Sequence, residues 1–266
     1  MNKKLLALFF VFALAIGSII MVQGCAPKEE VAEGTGEVVK IKVATDAAYP
    51  PFENVDPTSE EIVGFDIDFM NEIAKAAGFE VEFVNVNWDG IFIGLDADKY
   101  DAVISAVSIT DERKEKYDFS DPYYAISQAL ILNKADAESI KVLDDLAGKK
   151  IGAQIGTTGA IFVGKNDKVE LVNYDDNALA IEALVRGDVV AVVCDHPVAF
   201  DYALKNEAYK EKLVVVNADL NKGDLEDYGI VVKKGNAKVL DLINKGLAEV
   251  KKGDTISTLE KKWGIK

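Results

Sequence analysis

Short apolar runs alternate along this chain with segments whose apolar residues recur at helical spacing. Ile41–Thr45 reads as a first strand. Phe65–Ala77 then places Phe69, Met70, Ile73 and Ala77 on one face of a helix that Gly78 can end. Val81–Val84 alternates as a second strand and Ala102–Val107 forms a third. Thr110, followed by Asp111 and Glu112, marks the start of a short helix. A second series brings strands at Ala129–Leu132, Lys150–Gln154, Leu171–Val172 and Val189–Cys194, with helix patterns over Asn177–Arg186 and Pro197–Lys205. Two amphipathic helices, Ala237–Lys251 and Thr255–Trp263, close the chain. This rhythm predicts an α/β fold with mostly parallel sheets flanked by helices. The stretch from Val38 to Lys266 is long enough for two modest lobes rather than one large core.

The amino terminus follows a different pattern. Lys3 and Lys4 precede an almost unbroken apolar run from Leu5 to Val22, and Val22-Gln23-Gly24-Cys25 follows it. The run has the length of a membrane-spanning helix. The small, uncharged residues ending in cysteine resemble instead the lipobox of bacterial lipoproteins, in which cleavage precedes the cysteine and its sulfur is acylated. Residues 1–24 are therefore expected to be a lipoprotein signal peptide with Cys25 as the lipid anchor; an uncleaved signal anchor is the alternative. Residues 25–37, rich in Glu, Gly and Pro without apolar periodicity, read as a tether.

Charge and composition narrow the function. The chain carries 30 Lys and Arg against 45 Asp and Glu, a formal charge of −15, and loss of Lys3 and Lys4 with the signal makes it more negative still. Nucleic acid is an unsuitable partner for such a surface. Cys25 and Cys194 are the two cysteines, so a lipidated Cys25 leaves Cys194 without an intramolecular disulfide. With a single histidine, His196, a His-rich metal site cannot be built, and no cofactor is expected.

Ligands of open α/β sheets lie beyond the carboxyl ends of strands, so the residues that follow each strand are the informative ones. They are Asp46 and Tyr49, with Glu53 further on. Then come Trp88 before a helix that Asp89 could cap at Gly90, and Ser105, Ala106 and Ser108 with Arg113 one turn into the next helix. In the second half they are Gln154 with Thr157 and Thr158, and Asp195. An arginine beside a helix start and hydroxylated residues suits a carboxylate. An aspartate opposite suits an ammonium, and the rings of Tyr49 and Trp88 suit an aliphatic or guanidino chain. Together these groups describe a free α-amino acid. Each also has a local reading: a solvated helix face for Arg113, a turn for Asp46, a helix cap for Asp195, and core for both aromatics.

At these residues the chain resembles the polar amino-acid-binding family of ABC-transporter solute-binding proteins. The likeness is carried by ATDAAYPPFE (residues 44–53), VGFDIDFMNEIAKAAG (63–78), NWDGI (87–91), SAVSITDERKEKYDFSDPYY (105–124), IGTTG (155–159), VVCDHPVA (192–199) and DYGIVVKKGN (227–236). The resemblance implies a two-lobed, periplasmic-binding-protein-like clamp with a two-crossover hinge. Residues 38–124 with 228–266 would form one lobe and 125–227 the other. It implies that Arg113 grips the ligand carboxylate, helped by Ser108 and Thr158, and that Asp195 pairs with the α-ammonium beside Ser105 and Ser108. Tyr49 and Trp88 would sandwich the side chain, with Asp46 and Gln154 at its far end. Ala106 stands where relatives often carry Gly or Ser. Gln154 stands where glutamine-binding members carry Lys.

An acidic Asp46 beside a neutral Gln154 favours a basic ligand, arginine before lysine or histidine, with glutamine as the alternative. The partners implied are a free L-amino acid, the transmembrane subunits of an ABC permease and, through the lipid, the outer face of the cell membrane; the chain is expected to be a monomer without enzymatic activity. A similar fold serves cyclohexadienyl and arogenate dehydratases, which need a poised acid among Asp46, Asp195 and Glu53. It also serves sensory ectodomains, against which the ending at Lys266 without a further membrane segment argues.

Overall fold

A computed structural model describes residues 38–216, 220 and 224–265. The expected signal, Cys25 and tether lie outside them. The first strand, β1 (Lys40–Thr45), is buried along Val43, Ala44 and Thr45 and leads into a small three-stranded sheet of β2 (Ala48–Tyr49), β3 (Glu53–Val55) and β4 (Ile62–Val63). Helix α1 (Phe65–Ala77) follows, burying Phe65, Phe69, Met70 and Ile73. Gly78 ends it at φ 81°, a left-handed cap that donates to the Ala74 carbonyl. A Cβ at Gly64, just before this helix, would sit 2.0 Å from the Phe52 carbonyl oxygen, so only glycine lets the two segments approach.

β5 (Glu80–Asn85), α2 (Trp88–Asp96), β6 (Ala102–Val103), α3 (Asp111–Lys116) and β7 (Tyr117–Phe119) complete this half. The chain then passes through β8 (Tyr124–Ile126) into β9 (Gln128–Asn133), β10 (Lys150–Gln154), α4 (Thr158–Gly164) and β11 (Glu170–Tyr174). α5 (Asn177–Arg186), β12 (Ala191–Asp195), α6 (His196–Phe200) and β13 (Leu213–Val216) come next. It returns through β14 (Glu226–Tyr228) to β15 (Val231–Lys233), α7 (Ala237–Val250) and α8 (Thr255–Trp263).

Two five-stranded sheets result, ordered β5-β1-β6-β15-β7 and β11-β10-β12-β9-β13. In each, the first three strands pair in parallel and the last two join antiparallel. β12 and most of β9 are buried on both faces, which is why they read as continuous apolar runs rather than alternating ones. β8 and β14 pair with each other, antiparallel, where the chain crosses between the sheets.

Three local expectations need correction. The third strand stops at Val103: the apolar run goes on through Ile104 and Val107, but as buried chain off the ladder, with Ala106 at φ 47°. α2 starts at Trp88 after Asn87, so Asp89 lies inside its first turn instead of capping it. The helix expected over Pro197–Lys205 is α6 followed by a π-helical turn over Asp201–Lys205.

Candidate functional site

Between the two sheets lies a cavity with about 310 Å³ of space, lined by Asp46, Tyr49, Trp88, Ser105, Ala106, Ser108, Arg113, Gln154, Thr157, Thr158 and Asp195. Apart from Glu53, the candidates taken from the strand ends thus line one place. Glu53 is fully buried behind Ser105, whose hydroxyl donates to Glu53 Oε1 at 2.8 Å.

The backbone around Ser105 and Ala106 is held from beneath. The Asp46 N–H donates to Ser105 Oγ at 3.0 Å, and the Ala106 N–H donates to Asp66 Oδ2 at 2.8 Å. Tyr123 Oη donates to that same Asp66 oxygen at 2.8 Å. Burial raises the Asp66 carboxyl to about 7, and burial together with the neighbouring Asp66 pushes Glu53 well above the usual carboxylate range. Ala106 adopts its left-handed conformation, φ 47°, where its N–H meets the buried Asp66 carboxyl.

Arg113 turns inward from α3, a helix whose other residues face water. Thr110 caps that helix by accepting the Arg113 N–H at 3.2 Å, and the guanidinium then reaches across the cleft. It donates to the Ser108 carbonyl at 2.8 Å and to the Gly156 carbonyl at 3.2 Å. Those bonds engage two of its five N–H donors. Its carbon lies 5.3 Å from the centre of the Trp88 ring and 5.6 Å from that of Phe92. Burial pulls its pKa down, while Asp195 and Glu226 oppose that shift.

Across the cavity, Asp195 ends β12 beneath a layer of donors. Tyr228 Oη and Gln128 Nε2 both donate to its carboxylate. Burial raises its pKa to about 6 in spite of these bonds. Gln128 also donates to Thr158 Oγ1 at 3.1 Å and to Glu226 Oε1 at 3.2 Å. Ser108 Oγ donates to Glu226 Oε2 at 2.8 Å. Gln128, Glu226 and Tyr228 belong to β9 and β14, next to or within the crossovers. The strand-end reading passed over all three.

At the other end, Gln154 Nε2 donates to Asp46 Oδ2 at 3.2 Å and to the Asp175 carbonyl at 3.1 Å. Asp46 is raised to about 6, chiefly by burial, and Asp176 and Asp89 push in the same direction. Tyr49 and Trp88, at 7% and 8% exposure, are core residues and cavity walls at once. Further contacts join the halves outside the cavity. Tyr202 Oη donates to the Ala48 carbonyl at 3.4 Å, and Lys205 Nζ to that of Trp263 at 3.1 Å. Among the described residues there is no cluster of His, Cys, Asp and Glu that could hold a metal ion.

Known proteins share this fold. The family model of bacterial extracellular solute-binding proteins, family 3, matches residues 41–266. The L-cystine-binding protein TcyJ of Escherichia coli K12 is 31% identical over 94% of this chain and 93% of its own length. A probable histidine-binding protein of Neisseria gonorrhoeae is 33% identical over 100% of this chain and 97% of its own. Among solved structures, an ancestral arginine-binding protein bound to arginine superposes with a TM-score of 0.76 at 40% identity, over 84% of this chain and 97% of that one. The match spans both sheets and every strand end that meets the cavity, and by it the chain belongs to family 3 of the bacterial extracellular solute-binding proteins.

Proposed function

We propose that the chain is the lipid-anchored receptor of an amino-acid ABC importer and that its ligand is a basic amino acid, arginine first. One observation carries the ligand class: the cavity is lined by two acids, Asp46 and Asp195, and one base, Arg113. A zwitterion leaves one acid over, since its carboxylate answers Arg113 and its ammonium answers Asp195. The acid left over is Asp46, whose hydrogen-bond partners are the neutral Gln154 amide and the Trp88 backbone N–H. A positively charged side chain supplies the missing counter-charge in a buried place, where an unpaired charge is costly.

In this reading Arg113 turns its remaining donors to the ligand carboxylate, with Ser108 and Thr158 beside it. Asp195 takes the α-ammonium, and Tyr49 and Trp88 flank the aliphatic stem. Thr157, which accepts from the Ala160 N–H at 3.2 Å and donates to the Gln154 carbonyl at 2.7 Å, keeps the start of α4 open towards the carboxylate. The lobes are residues 38–124 with 228–266 and residues 125–227, hinged at β8 and β14. Ligand contacts on both lobes bias the clamp towards closure, and the permease responds to the closed form. Cys25 carries the lipid that keeps the monomer at the outer face of the membrane.

Calorimetry of the chain from residue 26 onward against arginine, lysine, histidine, glutamine and cystine tests the reading. Arginine or lysine binding at least about tenfold tighter than glutamine and cystine is the expected result. Tighter binding of glutamine or cystine overturns the basic specificity, and no binding by any of the five overturns the importer reading.

A further inference from the structure

Behind Gln154 sits a residue that touches no candidate ligand position directly. Asn177 opens α5, just after Asp176, whose side chain caps the helix by accepting the Leu179 N–H at 2.8 Å. It is 1% exposed, and its Nδ2 donates to Gln154 Oε1 at 3.3 Å. Its own Oδ1 is buried without a hydrogen-bond partner. A buried amide oxygen left unpaired costs free energy that folding alone does not recover.

The bond from Asn177 holds the Gln154 amide oxygen on the side away from Asp46 and the Asp175 carbonyl. With Oε1 taken by Asn177, Nε2 must face Asp46 and the Asp175 carbonyl. Turned over, the amide would bring its oxygen against two other oxygens and its nitrogen against the Asn177 nitrogen. This corner therefore gathers acceptors: the Asp46 carboxylate and the Asp175 carbonyl. Beyond Asp46 it continues into a hollow of about 410 Å³ lined by Asn87, Asp89, Asp175 and Asp176. A guanidinium or ammonium brings donors alone and matches such a corner, whereas a carboxamide brings an acceptor that must find a donor.

We infer that Asn177 is a specificity-determining residue: it holds the orientation of Gln154, and so favours donor-only cationic side chains over carboxamides. The inference rests on the basic-ligand reading above. Asn177 is a positioning residue, so its signature is a changed ratio between ligands, which a general loosening of the fold does not produce.

The test is calorimetry of N177L with arginine and with glutamine, and of N177S, which is too short to reach Gln154, in case the larger substitution impairs folding. The expected result is a fall of at least about tenfold in the arginine-to-glutamine affinity ratio in whichever variant folds, with glutamine affinity changed by less than about threefold. Equal losses for both ligands, or an unchanged ratio, overturn the role of Asn177 alone. A wild-type chain that prefers glutamine overturns the basic-ligand reading and this inference with it.

Discussion

Gln154 and Asp46 meet across the cleft, amide nitrogen to carboxylate oxygen at 3.2 Å, although one ends a strand of the second sheet and the other follows the first strand of the first. This contact, like that of Arg113 with the Gly156 carbonyl, joins the halves through groups that a ligand is expected to reach. A guest that takes over these bonds would give each ionised group an opposite charge in place of a neutral amide or carbonyl, and closure should gain in free energy.

Asp46→Asn keeps the shape of the corner and the capacity to accept from Gln154, but removes its charge. Arginine affinity should fall by about 1.5–3 kcal/mol, roughly ten- to a hundredfold, while glutamine affinity changes little. Titration calorimetry of both ligands reads the difference.

Arg113→Ala and Asp195→Ala act on the end that all amino acids share. Each should weaken every ligand by at least about a hundredfold, about 2.7 kcal/mol, because the partner charge is left buried and unanswered. Wild-type affinity in either variant contradicts the assignment. Thermal melts of the ligand-free variants separate lost binding from lost fold.

Glu226→Ala removes the acceptor of Ser108 and one acceptor of Gln128, both of which touch cavity residues. Since neither lies at the side-chain end, arginine and glutamine affinities should fall together, by about tenfold. A selective loss of one ligand would place Glu226 at the wrong end.

Binding and stability should respond to pH in opposite ways. Asp46 and Asp195 are raised to about 6 in the ligand-free protein, and a bound cationic group needs each ionised. Affinity for arginine should therefore fall as pH drops through about 6. Without ligand, these groups and Asp66, raised to about 7, hold protons more tightly in the folded chain than in the unfolded one. Stability from these groups is therefore lost as pH rises from about 4 to 7, at up to about 1.4 kcal/mol per group and pH unit. Melting scans of the ligand-free chain should give a higher midpoint at about pH 5.5 than at about pH 8.

The strand-end rule led to the cavity because the lining residues come from the carboxyl ends of β1, β5, β6, β10 and β12 or from the turns, short strands and helix starts that follow, and apolar residues mark those strands. It overshot at Ala102–Val107, since an apolar run reports burial and Ile104–Val107 is buried without being a strand. Gln128, Glu226 and Tyr228 escaped it because their importance comes from the pairing of β8 with β14, which joins segments about a hundred residues apart with no local signature. Asn177 looked like an ordinary helix start, and only the packing of α5 against β10 brings it behind Gln154.

A crystal structure of the chain grown with arginine puts the most direct question. It should show the carboxylate on the Arg113 guanidinium, the α-ammonium on Asp195 and the guanidino group against Asp46, with the Gln154–Asp46 bond broken or shared. An arginine bound outside this cavity, or one whose carboxylate and ammonium contact neither Arg113 nor Asp195, would contradict the account.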